Sequence, residues 1–497
     1  MDAVYYKGGV IRPVVAAVKS LASAFSIGSG AAVGREGPII QIGSTLGSTL
    51  GQILPMAPWQ RITLVAAGAG AGIAATFNTP LGGVMFAVEI MMPEVSVRTF
   101  LPVALATGTA TYVGRLFFGM QPAFDVPLSA VVASHPADAI TLVLSVVLGA
   151  MAGLASTAFI RGLHWSESFF EQITNPYLRH IVGMVAVGAI FYALMLGFGH
   201  YYVEGVGYST IQAILSSGIT GFALMALLLV CKLTATSLSL GSGSSGGIFS
   251  PSLYMGATLG GAFGALIGLV DHMPGIGVPG FAMVGMASMV GGGTGAAMTA
   301  IVMIFEMTRD YDIVVPMIVA VAVAIGVRRM LSRENIYTIK LVGRRHFIPK
   351  ALHANMFLVR QARDVMDRSV LVLPASMSFD ELLHRPDFAG RLIHIVIVDG
   401  ERIVGVQRIN MSVRQKRGGA DAAITLGSIA HRDFTVARED DIVFDVINRM
   451  HARNASMAVI MRGSKRIPRA GDVVGVITKE HIADSVAESI RTYPQGS

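Results

Sequence analysis

The chain has 497 residues, 53% of them hydrophobic and 14% charged, with a mean hydropathy of +0.61. Soluble domains carry about 25% charged residues, so this composition excludes an ordinary soluble protein and points to a membrane one. The net charge of +7 sits in the tail: residues 1–330 hold 13 Lys+Arg and 13 Asp+Glu, which leaves 25 and 18 of the totals 38 and 31 for residues 331–497.

No basic segment followed by an apolar run and a cleavage site opens the sequence, so nothing there reads as a signal peptide. "MDAVYYKGG" reads instead as the middle of a fold. The first distinctive stretch is "GSGAAVGREGPIIQIGSTLGS" (28–48), where Arg35 and Glu36 lie in a glycine-rich run that leads into an apolar helix. Apolar segments follow at about 61–76, 79–92, 97–117, 139–160, 180–199, 221–240, 249–270, 281–308 and 312–327. Several are shorter than the ~20 residues a helix needs to cross a hydrocarbon core. Short segments interrupted by Gly and Pro predict half-helices meeting at a midplane site. The expected fold is therefore an all-α polytopic membrane protein, a channel or transporter and not an anchored enzyme.

Lys232 interrupts "MALLLVCKLTATSL" (225–238), either snorkelling to the surface or drawing anions to an inner mouth. The single Cys231 excludes an intramolecular disulfide and argues against a thiolate metal site. No metal ligand is assigned anywhere in the chain. The basic flank "VRRMLSREN" (327–335) puts the tail in the cytoplasm by the positive-inside tendency.

A second glycine-rich stretch, "GSGSSGGIFSPSLYMGATLGG" (241–261), repeats the first at an offset of 213. Gly28-Ser29-Gly30 pairs with Gly241-Ser242-Gly243, Gly34 with Gly247, Pro38 with Pro251, Gly43 with Gly256 and Thr45-Leu46-Gly47 with Thr258-Leu259-Gly260. Downstream, "GVMFAVEI" (83–90) and "AIVMIFEM" (300–307) match at offset 217, each placing one glutamate, Glu89 or Glu306, at the end of an apolar helix. A duplicated membrane unit is the pattern of repeat-built transporters, with the ion site where the halves meet. The plainer alternative is that the glycines only let helices pack closely. In both stretches Gly lets backbone approach a ligand and Pro suits the first helical turn. Free N–H groups and the positive end of the helix dipole then favour a small anion such as chloride.

These residues resemble the CLC family of chloride channels and chloride/proton antiporters. "GREGP" (34–38) looks like its gating-glutamate motif, "GGIFSP" (246–251) like its G-x-F-x-P motif, and Tyr337 in "ENIYTIKL" falls where the family keeps a pore tyrosine. The resemblance covers residues 1–340. It implies that Glu36 occupies an anion position when deprotonated and swings away when protonated. It implies that the Ile248 and Phe249 amides and the Tyr337 hydroxyl hold chloride, in a site that also includes Gly34, Arg35 and Gly37. Arg35 reads more as a residue that orders the loop than as one touching the ion. The resemblance further implies a homodimer with a pore in each subunit, embedded in the lipid of the cell membrane, with no nucleic-acid partner and no enzymatic chemistry.

Two departures stand out. The family's G-S-G-x-P motif, whose serine also binds the ion, would fall just before Met1, so the chain reads as lacking the first helices and that serine. Family exchangers usually carry an inner glutamate directly after the position of Glu89, whereas this chain has Ile90. An isoleucine cannot titrate, so a passive chloride channel is the expected function. A chloride/proton antiporter is the alternative, with Glu94 or water replacing the missing acid, and a cation transporter regulated by the tail is a more distant one.

The tail changes to soluble α/β composition. After a linker (341–361), "HIVIVDGERIVGVQRI" (394–409) predicts two strands joined at Asp399-Gly400, preceded by a helical "SFDELLHR" (378–385). The pattern recurs in "TVAREDDIVFDVINRMHARN", "SMAVIMRG" and "DVVGVITKEHIADSV". Two β-α-β-β-α units, 362–424 and 425–497, resemble a tandem pair of CBS domains, which often sense adenine nucleotides. His481 stands where nucleotide-binding members keep a ribose-contacting Asp, so a structural role weighs equally with an adenine nucleotide ligand. "RQKRGG" (414–419) reads as a solvated basic loop, with anionic lipid as the minor alternative.

Overall fold

The computed structural model describes residues 1–92, 96–126, 139–269, 277–332, 334–339, 360–383, 393–409, 425–463 and 469–483. The chain forms two compact units, Met1–Val4 with Gly9–Ile348, and Tyr5–Gly8 with Pro349–Ser497. Glu94, the basic loop 414–419, most of the 341–361 linker and residues 484–497 lie outside the described residues.

The first unit is helical. Its first half contains α1 (Val14–Gly28), α2 (Glu36–Ile53), α3 (Pro58–Phe77), α4 (Pro80–Phe86, running into a π-helical turn Ala87–Met91) and α5 (Val97–Phe118). Then come α6 (Ala139–Glu171), α7 (Pro176–Phe198) and the short α8 (Tyr208–Leu215). The second half restates the first as α9 (Phe222–Gly241), α10 (Phe249–Ile267), α11 (Gly277–Thr294), α12 (Ala297–Thr308) and α13 (Val314–Leu331). Among the described helices, α6, α7, α9 and α13 are long and apolar enough to cross a membrane. The apolar run 281–308, continuous in the sequence reading, is broken in the structure: α11 ends at Thr294, Gly295 takes φ +78°, and α12 starts afresh at Ala297. Composition hides that break because Gly and Ala are apolar yet do not hold a helix through a left-handed residue.

The glycines of the repeat have two mechanical uses. Gly30 and Gly243, paired at the 213 offset, both take left-handed φ, +97° and +105°, a conformation cheap only for glycine. These residues end α1 and α9 and turn the chain toward α2 and α10. Gly43 and Gly47 instead allow contact, because a Cβ on Gly43 would collide with the Gly68 carbonyl and one on Gly47 with the Leu64 carbonyl. The second half does the same at the same positions: a Cβ on Gly256 would come within 2.5 Å of the Gly285 carbonyl oxygen, and one on Gly260 would strike that of Phe281. So α2 lies backbone to backbone on α3, and α10 on α11, as small-residue helix crossings in membranes do.

Reciprocal contacts join the halves. The Gly34 amide donates to the Gly247 carbonyl at 2.8 Å and the Gly247 amide to the Gly34 carbonyl at 2.6 Å. The Glu89 carboxylate accepts from the Met298 and Thr299 amides at 3.1 and 2.7 Å, at the start of α12. Glu306 accepts from the Leu81 and Gly82 amides at 3.1 and 2.7 Å, at the start of α4. Each half thus caps the other's short helix, satisfying amides that have no partner within it. When contact i to j is matched by j to i, the halves are related by an approximate two-fold.

The second unit holds two three-stranded sheets. In the first, β1 (Val370–Pro374) runs parallel to β2 (Ile393–Asp399), which pairs antiparallel with β3 (Arg402–Ile409), and α14 (Phe379–Leu383) lies between β1 and β2. The second repeats this as β4 (Phe434–Arg438), α15 (Val443–Ala452), β5 (Met457–Met461) and β6 (Val473–Thr478). The hairpin expected at Asp399-Gly400 is present, with Gly400 at φ +57°. Val396, Val398 and Val406 of the first sheet share a core with Met457, Val459 and Val476 of the second. Each such side chain, once buried, contributes about 1.5–3 kcal/mol.

Candidate functional site

The two glycine-rich turns bring two helix starts, α2 and α10, face to face. The Gly34–Gly247 bridge fixes their spacing, and a Cβ on Gly37 would lie 2.9 Å from the Gly247 Cα. Pro38 and Pro251 are the third residues of α2 and α10, where a missing N–H costs no intrahelical bond. Each start presents first-turn amides that have no partner within its own helix, together with the positive end of a dipole.

Glu36 opens α2 and is fully buried. Its side chain crosses to the other half. Oε1 accepts a hydrogen bond from the Tyr208 hydroxyl at 2.6 Å and another from the Ser250 hydroxyl, while Oε2 accepts from the Ser250 amide at 3.3 Å. The carboxylate therefore sits at the N-terminus of α10, where an anion would bind. Hydrogen bonds to a charged acceptor are worth about 1.5–3 kcal/mol each, so the seat is firm while the acid is ionised. Protonation removes the charge and turns one carboxyl oxygen into a donor facing donors, which weakens the seat.

Ile248 and Phe249 form the start of α10, Phe249 buried and Ile248 partly so. The Phe249 ring packs 5.7 Å from that of Phe77, which in turn lies 6.3 Å from Tyr208. Phe124 meets Tyr208 edge-on at 5.6 Å. Phe77 and Phe124 thus flank the Tyr208 ring beside the buried carboxylate. Tyr337 and Ile248 share an apolar cluster with Met255 and Met289. Tyr337 is held by its amide, which donates to the Asn335 side chain at 3.0 Å.

The remaining sequence-predicted residues play different parts. Gly34 gives its amide to Gly247 and acts as a strut. Arg35 is exposed, with its guanidinium 5.3 Å from the Tyr208 ring centre, a cation–π contact that orders the loop. Ile90 is buried in the π-helical turn beside Glu89, whose carboxylate is committed to Thr299. Lys232 follows neither sequence expectation. It is fully buried and donates to the Val203 and Gly205 carbonyls at 2.9 and 2.7 Å, with Tyr254 at 5.0 Å. That ammonium ties down the loop leading into Tyr208.

Sequence reasoning missed Tyr208 and Ser250 as Glu36 partners. Ser250 lay within the quoted "GGIFSP", and the side-chain oxygen next to the helix start was a usable signal. Tyr208, 172 residues from Glu36, carried none.

Fold and site together define an integral membrane transport protein built from two interlocked halves around helix termini suited to an anion. The chain belongs to the CLC family: the voltage gated chloride channel family matches residues 1–329. It is 34% identical over 327 residues to a ClcB-like chloride channel protein of Ralstonia nicotianae, covering 64% of this chain and 73% of that one. It is 31% identical over 341 residues to an H(+)/Cl(-) exchange transporter ClcA of Vibrio parahaemolyticus, covering 66% and 70%. A slow cyanobacterial Cl-/H+ antiporter structure matches with TM-score 0.58 at 27% identity, over 66% of this chain and 76% of that one.

Proposed function

We propose that this protein moves chloride across the cell membrane in exchange for protons, with Glu36 as the group through which both ions pass. The observation that carries the reading is the buried carboxylate seated on the Ser250 amide and the Ser250 and Tyr208 hydroxyls. A carboxylate in an anion's place competes with chloride when charged and vacates that place when protonated. The Ile248 and Phe249 amides and the Tyr337 hydroxyl then hold the ion, beside Gly37. Relatives named as exchange transporters support coupling.

The second reading, passive conduction, is favoured by one observation. Ile90 is apolar and buried next to a glutamate already engaged as a helix cap, so no titratable group stands at that inner position. A pH gradient imposed on liposomes containing the protein separates the two: uphill chloride uptake supports exchange, and flux that only dissipates its own gradient supports the channel. Ile90→Glu is expected to tighten proton coupling if the protein is an exchanger. Glu36→Gln is expected to make chloride flux insensitive to external pH, and a preserved pH response overturns the role of Glu36.

The same proposal places the described tail sheets, as two CBS-like units (362–424 and 425–497) after a 341–361 linker, on the cytoplasmic side of a homodimer. An adenine nucleotide is the ligand class to test there, by its effect on flux.

A further inference from the structure

We propose that Asp367, His394 and His481, in the C-terminal unit, form a binding site for one divalent transition-metal ion of the Zn2+ type, which joins the two CBS-like halves. The residues lie 27 and 87 positions apart, match no metal-binding motif, and were assigned no such role from sequence. Three backbone features assemble them. Asp367 is bonded to Val476 of β6 by two reciprocal 2.9 Å hydrogen bonds. His394 is the second residue of β2, opposite Arg408 of β3. His481 follows β6 in the first turn of a helix, where its amide donates to the Thr478 hydroxyl at 3.2 Å.

The ligand atoms converge. Asp367 Oδ2 is 3.7 Å from His394 Nε2 and 3.8 Å from His481 Nε2, and the candidate donor atoms all fall within 4.8 Å of one another. Those separations are too long for hydrogen bonds. They approach the ~3.4 Å between neighbouring ligands that bonds of about 2.1 Å at the tetrahedral angle require. The carboxylate is also aimed: its other oxygen, Oδ1, accepts from the Ser369 amide at 2.8 Å, which leaves Oδ2 facing the two imidazoles, an outer-shell restraint common in metal sites.

An independent observation points to a missing partner. His394 is 1% exposed, and both its ring nitrogens are buried without a hydrogen-bond partner. Buried polar groups are nearly always paired, and an ion in front of Nε2 supplies that partner. Two imidazoles and one carboxylate suit Zn2+, Co2+ or Ni2+ and not Mg2+, which prefers oxygen ligands. Nearby, Arg408 and Glu480 pair with each other, so the arginine charge facing the site is neutralised. Ligation through His481 Nε2 moves its proton to Nδ1, which gives up a long 3.4 Å contact from the Thr478 amide.

The test uses the full-length protein in detergent, stripped with EDTA and dialysed against Zn2+ or Co2+. About one ion per chain is expected by mass spectrometry, with a Co2+ visible spectrum typical of four-coordinate nitrogen and oxygen ligation and a raised melting temperature. His481→Gln and Asp367→Asn change partly exposed side chains and should keep the fold, yet weaken Zn2+ binding at least about tenfold and abolish the thermal shift. His394→Gln should do the same, with its unliganded melting temperature as the folding control. Equal Zn2+ uptake by wild type and the His481→Gln, Asp367→Asn double variant overturns the site. So does the absence of Zn2+ uptake by wild type, or displacement of Zn2+ by an equal concentration of Mg2+.

Discussion

The turn from Gly30 to Gly34 and the turn from Gly243 to Gly247 share one design: a left-handed glycine, three non-helical residues, a bridging glycine, then a helix with proline in its first turn. Their chemistry differs. The first delivers Glu36 at its helix start and the second delivers Ile248, Phe249 and the Ser250 hydroxyl. One half therefore supplies the carboxylate and the other supplies the place it sits. Duplication gave two equivalent helix termini, and a few side chains made one of them the ligand of the other.

That comparison can be broken by perturbing matched positions. The largest effect is expected from Gly43→Val and Gly256→Val, each of which drives a side chain into a facing backbone carbonyl. Overpacking of this kind typically costs 1–3 kcal/mol and here has no side chain to yield, so about 3 kcal/mol or more is expected for both. Thermal unfolding in detergent checks this, and a large loss in one half with none in the other would end the equivalence.

Ser250→Ala removes the hydroxyl donor to Glu36 and leaves the amide. At about 1.5–3 kcal/mol for a bond to a charged acceptor, the carboxylate should leave its seat about tenfold more often or better, raising chloride flux at fixed pH. The position matched to Ser250 at the 213 offset is Gly37, which has no side chain to remove, so the control in α2 is the exposed Gln41→Ala, which should leave flux unaltered. Tyr208→Phe is expected to act in the same direction more weakly, by about 1 kcal/mol or roughly fivefold, because the Ser250 hydroxyl stands beside the vacated position. An unchanged flux in both variants would show that these hydroxyls do not hold the acid.

The smallest effect tests the symmetric contacts. Glu89→Gln and Glu306→Gln each remove charge from a cap on the opposite half's short helix. About 0.5–1 kcal/mol of stability should be lost in each case, equally in the two, with little effect on transport. A selective loss of proton coupling in Glu89→Gln would instead make that residue part of the proton route.

Much of this molecule was legible in one dimension. The repeat, its offsets, the short helices and the tail's two strand-rich units all follow from local chemistry, since glycine and proline act within a few residues of where they stand. Glu36 was legible too, because an acid in an apolar, glycine-rich setting has few other reasons to be there. The sequence did not show that the apolar run 281–308 is two helices, because hydropathy is blind to one left-handed residue. It also left Lys232 undecided, since its partners are backbone carbonyls 27 and 29 residues away. Tyr208 as a donor to Glu36, the crossed caps of Glu89 and Glu306, and the meeting of Asp367 with His394 and His481 were decided by tertiary structure alone. Helix and turn preferences are set over a few neighbours, whereas a hydrogen bond between residues 172 or 224 positions apart exists only after packing has fixed both backbones.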